Sequence, residues 1–291
     1  MRSIFTQMSF VGLRKLDLGF LYLREAISLL YMLHIHSDEI METLDLQERS
    51  RRQRAYWECF IHERFTALTY YRPTCLEPLR TLPDHDASLP AVVEAGFNHV
   101  IANFRLVDRQ FLDFWLGDRS GVTAEWVEQK QQQLEDNGWH REVSLLPLML
   151  QADLIITRHW LRTLTWQIAL SNILLSSSAN SLPLLSLSFP FRLSKQLRQF
   201  LISIPRDLVG IHGSGILQKL FEIANTITDV VLHFSHVPDS GTAQRIHDIL
   251  FLKYFVFSFV GFANLGPADL TQKFEMIREK YPEMKEMELL V

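Results

Sequence analysis

Residues 49–71, RSRRQRAYWECFIHERFTALTYY, decide the fold class. Tyr56, Phe60, Glu63–Arg64 and Ala67 recur at three- and four-residue steps, which places them along one side of a helix. Asp45 begins the run, and acidic Glu48 falls near the helix start. Pro73 disfavours helix at Arg72 and closes the run. Upstream, LGFLYLREAISLLYMLHI (18–35) sets Leu23, Ile27, Leu30 and Leu33–His34 near one face. Downstream, residues 73–90 hold four prolines and read as an irregular connection.

Helical spacing recurs in every later segment. It covers Ala91–Trp115, the polar 125–138 with Gly138 as C-terminal cap, and the long apolar 142–171. The last carries Leu154, Ile155, Leu161, Leu164 and Ile168, and it is expected to run through a centre. Residues 176–181 read as a loop and 192–202 as a short helix. Pro205 permits a new start, interrupted by Gly210, Gly213 and Gly215. Helices then follow over 215–234, 249–263 and 267–281, the last with Pro267 near its start. Strand alternation is nearly absent. The expectation is all-α: a single irregular multi-helix domain over 1–291, with no internal repeat and no linker.

Composition narrows the function. The chain has 291 residues, with 29 Lys+Arg against 33 Asp+Glu. A net charge of −4 removes the simplest electrostatic reason to bind nucleic acid. Cys59 and Cys75 are too few for a disulfide scaffold and suit a reducing compartment. The first residues show no secretory signal pattern. Residues 249–266 are the best membrane candidate, but Lys253 interrupts them, so a buried helix is expected.

The eleven histidines form no catalytic pattern. His62–Glu63 lacks a second histidine at helical spacing, since position 66 is Thr66. His34 and His36 point to different faces. The stretch 211–215, IHGSG, lacks the spacing of a nucleophile elbow. Asp84, His85 and Asp86 read as solvated loop residues. Arg49, Arg51, Arg52 and Arg54 are the densest basic cluster. An import signal or nucleic-acid patch competes there with a helix face whose arginines meet solvent or carboxylates. Arg49 is expected to be exposed.

Five ordered elements in 48–83 add a resemblance. They are Arg51–Arg52 with Arg54, Tyr56–Trp57, Phe60–Ile61, Glu63–Arg64 and Arg72–Pro73. The segment resembles the middle homology region of fungal zinc-cluster transcription factors, and 20–36 looks like the preceding helix of that family. Residues 104–115, 152–170 and 210–231 are similar to the regulatory part of the amylase and maltose regulators of filamentous fungi. The resemblance implies an α-helical regulatory domain. Its signature segment is 18–90, its C-terminal regulatory helices 91–281.

It further implies a nuclear transcription regulator of metabolic genes, such as a carbohydrate-utilisation or secondary-metabolite cluster, with shuttling to the cytoplasm as a variant. Catalytic, cofactor-binding and metal residues are none. Arg51, Arg52, Tyr56, Trp57, Glu63, Arg64, Arg72 and Pro73 form a structural signature. Expected partners are proteins or a second copy, and a small-molecule sugar effector, with no membrane. Members of that family bind DNA through six cysteines around two zinc ions, so two cysteines imply no sequence-specific DNA binding by this chain alone. The chain is read as starting inside the helical region, by natural truncation or as a gene-model fragment. Its apolar runs Leu18–Tyr31 and Tyr254–Phe262 would then be left exposed. The alternatives are an inactive truncated product and an unrelated helical enzyme with a pocket near His159, Trp160 or His212.

Overall fold

The computed structural model describes residues 2–172, 186–234, 242–259 and 268–282. Among these residues the regular structure is helical, without strands, as the periodicity predicts. The chain divides into two compact units, Met1–Asp118 and Arg119–Val291. The expected loop at 176–181 lies outside the described residues, as do Pro267 and residues 260–266.

In the first unit, α1 (Arg2–Gly12) packs on α2 (Leu16–Met32). The approach is close: a Cβ on Gly19 would stand 2.9 Å from Val11 Cγ2. Leu23, Ala26, Ile27 and Leu30 of α2 are buried on the side that meets α4 (Leu46–Tyr70). Leu33 is instead exposed, because α2 stops at Met32 and His34 takes a left-handed φ of 52°. A short α3 (Asp38–Glu42) precedes α4.

Helix α4 has the predicted limits. Asp45 accepts a 2.9 Å bond from the Glu48 N–H, and Tyr71 ends the helix in the left-handed region. Its buried residues include Tyr56, Trp57, Phe60, Glu63, Arg64 and Ala67. The expected helical stretch 91–115 is broken into α5 (Ala91–Arg105) and α6 (Arg109–Trp115). The break has two causes. Asp108 caps α6 through the Phe111 N–H at 2.8 Å, and the Val107 carbonyl turns away to accept from Arg64 at 3.2 Å.

In the second unit, α7 (Ala124–Leu134) ends before Gly138. Gly138 is no C-cap. Its N–H donates to Asp136, which caps α8 (Asn137–Val143). The run 142–171 is likewise split, since α9 (Leu148–Ser171) starts only after Pro147. Helix α9 is the centre of this unit, buried at Leu154, Trp160, Leu161, Leu164, Trp166 and Ile168. Around it pack α7, α10 (Phe189–Ile202), α11 (Arg206–Gly210) and α12 (Gly213–Phe234). Gly213 has a φ of 68°, so the expected glycine interruption falls between α11 and α12. Helices α13 (Thr242–Phe257) and α14 (Ala268–Lys280) complete the unit. Leu250, Leu252 and Val256 are core residues, and no described helix is long and apolar enough to cross a membrane.

Buried polar groups on α9 are mostly satisfied. Lys219 reaches Asp153 at 2.9 Å and Thr157 at 2.7 Å. Arg158 lies 3.6 Å from the centre of the Trp139 ring and donates to the carbonyls of Gln133 and Leu134, at the end of α7. His159 is the exception, because its buried Nδ1 has no partner. Burial, and then the charges of Arg162 and His140, push its pKa down to about 3. The unfolded chain takes up this proton below about pH 6.5, whereas the folded chain resists it to about 3. This contribution to stability is therefore complete above about 6.5 and is lost on acidification, at about 1.4 kcal/mol per pH unit. Denaturant melts between pH 7 and 4 should show His159→Leu losing less stability than the parent. Parallel losses would mean that His159 is not the group responsible.

Candidate functional site

The eight signature residues gather around α4 and the segment that follows it. Residues 72–90, here called the strap, have no helix or strand and run back antiparallel along α4. Four prolines remove four of the strap's N–H donors. The remaining backbone groups still need partners, and α4 side chains supply them.

Glu63 is the hub. Its Oε1 accepts from Arg24 at 3.0 Å and from the Cys75 N–H at 2.9 Å. Its Oε2 accepts from the Leu76 N–H at 2.9 Å and from Arg64 at 3.2 Å. Arg64 continues the web by donating to the Leu76 carbonyl at 2.8 Å. Its guanidinium carbon also lies 4.3 Å from the centre of the Phe60 ring. Glu63 is 1% and Arg64 2% exposed, so this ion pair is held out of water with its bonds filled.

Further back along α4, the Tyr56 hydroxyl donates to the Glu77 carbonyl at 2.7 Å. The Trp57 indole donates to the Thr81 carbonyl at 3.2 Å. Gln53 accepts from the Asp84 N–H at 2.8 Å, and Ser50 donates to the Asp84 carbonyl. From Ser50 to Glu63 α4 rises about 20 Å. Nine strap residues can reach about 30 Å, so the strap covers that distance with slack for its prolines.

Arg52, Arg72 and Pro73 tie this assembly to α2. Arg72 pairs with Asp17 and lies over the Phe20 ring, and the Pro73 carbonyl accepts from Arg24. Arg52 bonds Glu48 at 2.8 Å and the Leu33 carbonyl at the end of α2. Arg51 is 64% exposed at its side chain and reaches only Glu48, at 3.1 Å. Of the eight, it contributes least to the fold.

The arginine cluster is compensated throughout. Arg49 pairs with Asp84 and Arg54 with Asp86, while Arg51 and Arg52 share Glu48. Arg49 is thus half-buried rather than on the exposed face. Asp84 and Asp86 are not the solvated loop residues that the sequence suggests. Asp86 is buried, and the Ser88 hydroxyl and N–H, with Arg54, hold its pKa down to about 2. His85 alone of the three is exposed, bonded to Glu94 at 2.9 Å. The helical periodicity gives no sign of Arg24, Gln53 and Ser50 as strap partners. Asking where a proline-rich segment's backbone bonds go would have pointed to them.

Trp160 and His212, two of the residues named for an enzyme pocket, are both hydrogen-bonded within the fold. Trp160 donates to Glu222 at 2.8 Å, and His212 meets the Met149 carbonyl at 2.8 Å. Among the described residues, no three His, Cys, Asp or Glu side chains are grouped as metal ligands. Burial pushes the Cys59 thiol up to about 12, and Cys75 is also raised, by burial and then by Glu63. Neither is an activated nucleophile.

Among the described residues, the side chains around α4 hold the backbone of their own chain. Comparison with known proteins is more particular. The chain is 26% identical over 243 residues to a respiratory transcription factor of Saccharomyces cerevisiae, covering 80% of this chain and 50% of that protein. It is 23% identical over 256 residues to a "Probable sucrose utilization protein" of Candida albicans, covering 85% and 49%. It is 24% identical over 223 residues to a maltose fermentation regulatory protein of S. cerevisiae, covering 73% and 45%. The resemblance to fungal sugar regulators is thereby borne out over most of the chain. The chain spans about half the length of the curated relatives it matches. No family model and no solved structure matches it.

The web around Glu63 makes a sharp mutational prediction. Glu63→Leu leaves the buried Arg64 charge uncompensated and two strap N–H groups unpaired, and should cost ~3–5 kcal/mol of first-unit stability. Tyr56→Phe removes one bond and should cost about 1 kcal/mol. Arg51→Ala should stay within ~0.5 kcal/mol. Urea melts of the three variants check the ranking. Glu63→Leu behaving like Arg51→Ala would remove the hub.

Proposed function

We propose that this chain is the regulatory region of a fungal transcription regulator controlling carbohydrate-utilisation genes. The observation that carries the reading is the joint one. The signature residues read from 48–83 build a single packed assembly, and the sequence is similar to sugar regulators over 73–85% of its length. Both compact units belong to one regulatory region over 1–291, with the signature in 18–90 and the regulatory helices in 91–281. Seven of the eight signature residues act by holding α2, α4 and the strap together, while Arg51 bonds only within α4. The region is not an enzyme.

It works in the nucleus, or shuttles between nucleus and cytoplasm. A sugar-derived signal reaches it, directly or through a partner protein. Outward-facing Leu18, Leu21, Leu29 and Tyr31 on α2 support a protein partner or a second copy. In the run Tyr254–Phe262 only Tyr254 is exposed among the described residues 254–259, with Val256 buried, and 260–262 lie outside them. Two thiols, Cys59 and Cys75, do not make a six-cysteine zinc cluster, so sequence-specific DNA binding is not a property of this chain by itself.

The test fuses the chain to an unrelated DNA-binding domain in yeast and follows a reporter on maltose, sucrose, glucose and glycerol. Output should change about fivefold or more between carbon sources. Glu63→Leu should abolish that response. A stably expressed fusion with the same output on every carbon source would remove the assignment.

A further inference from the structure

Helix α2 is apolar on two sides. Leu23, Ala26, Ile27 and Leu30 are at most 6% exposed. Leu18, Leu21, Leu29 and Met32 stand on the opposite side, where Leu21 is 60% and Met32 73% exposed. At about 100° per residue these four share one narrow arc of the helix. A surface helix ordinarily keeps charged and polar residues there. At the edge of the arc Tyr22 is stacked on Phe10 of α1, ring centres 5.4 Å apart, so a second helix fixes the shape of this face.

One charge interrupts the apolar row. Glu25 lies in the same arc and is exposed. The residues three and four positions away are Leu21, Tyr22, Ser28 and Leu29, so no cation stands one turn from it. Neighbouring Arg24 is turned to Glu63, Cys75 and the Pro73 carbonyl. Glu25 itself has no ion-pair partner among the described residues.

The row is symmetric about this charge. Leu21 and Leu29 are four residues to either side of it, Leu18 and Met32 seven. Two copies of α2 docked antiparallel would match Leu18 with Met32 and Leu21 with Leu29, but would set Glu25 against Glu25. Parallel docking does the same. A shift of register by one turn would bury each carboxylate unpaired against apolar side chains. A second copy is therefore a poor occupant. A lipid surface is no better, because Glu25 would meet acyl chains or anionic headgroups.

We propose that this face docks an amphipathic helix of a different protein, whose apolar stripe carries a lysine or arginine opposite Glu25. The partner's apolar side chains cover Leu18, Leu21, Leu29 and Met32, and its cation pairs with the carboxylate. A charge within an apolar seam selects the partner by repelling a second copy. This names the partner class of the regulatory region proposed above and rests on that reading for its setting. The test uses the purified chain, so its failure and that of the carbon-source response are separate results.

The chain supplies its own probe, since Glu25→Lys has the same apolar row with a cation at the centre. Sedimentation velocity at low ionic strength should show a heterodimer of parent and Glu25→Lys, about tenfold tighter or more than self-association of either. Leu21→Ser in both chains should abolish it with an unchanged circular dichroism spectrum. Glu25→Leu alone should self-associate, because the charge that opposes a second copy is gone. The proposal is overturned by a mixture no tighter than its components, by a heterodimer indifferent to Leu21→Ser, or by Glu25→Leu sedimenting like the parent. A parent dimer lost on Leu21→Ser would make the occupant a second copy. Parent protein sedimenting with phosphatidylcholine–phosphatidylserine vesicles would make it a membrane. Either result equally overturns the proposal.

Discussion

The carboxylate of Glu63 is the constraint on which the first unit depends. Taking a carboxylate out of water costs several kcal/mol. Four donors offset that cost, from Arg24, Arg64 and the N–H groups of Cys75 and Leu76. These donors come from α2, from α4 itself and from the strap. One side chain therefore joins three pieces of chain that lack a common ladder. Burial lowers the Arg64 pKa, and the Glu63 carboxylate beside it opposes that shift. An apolar pair of the same shape could match it in energy. It could not satisfy the two strap N–H groups, and those make the carboxylate hard to replace.

From that hub the strap unrolls along α4 by a repeated device. A helix side chain meets a strap backbone group at Tyr56, Trp57, Gln53 and Ser50 in turn. The arginines then close the far end on Asp84 and Asp86. A segment with four prolines cannot form its own secondary structure, so it borrows order from a helix that already has it. Pro83 and Leu89 of the strap also wall a cavity against α5.

Much of this was legible in the residues, and the reasons are specific. Asp45 and Pro73 mark the ends of α4 without reference to tertiary structure, and period 3.6 gives its buried face. The same rule overextends at Leu33, where a left-handed His34 ends α2 first. It also runs through the break at 106–108. There the competing forces are an Asp108 cap and a Val107 carbonyl recruited by Arg64, 43 residues away. Gly138 reads as a terminator because glycine commonly is one, yet Asp136 two residues earlier starts a new helix. Helix α1 buries only Ile4 and Gln7, too little to mark it by periodicity. Nothing local distinguishes Arg24 as an arginine that reaches a strap about 50 residues later.

The most direct test is native-state hydrogen exchange at the Cys75 and Leu76 amides. Both sit in a segment without helix or strand, so their bonds to Glu63 are the main source of protection. If the web holds the unit together, they exchange only when α4 opens, with the same free energy as its central amides. Exchange at the rate of an open loop, while the α4 amides stay protected, would contradict the account.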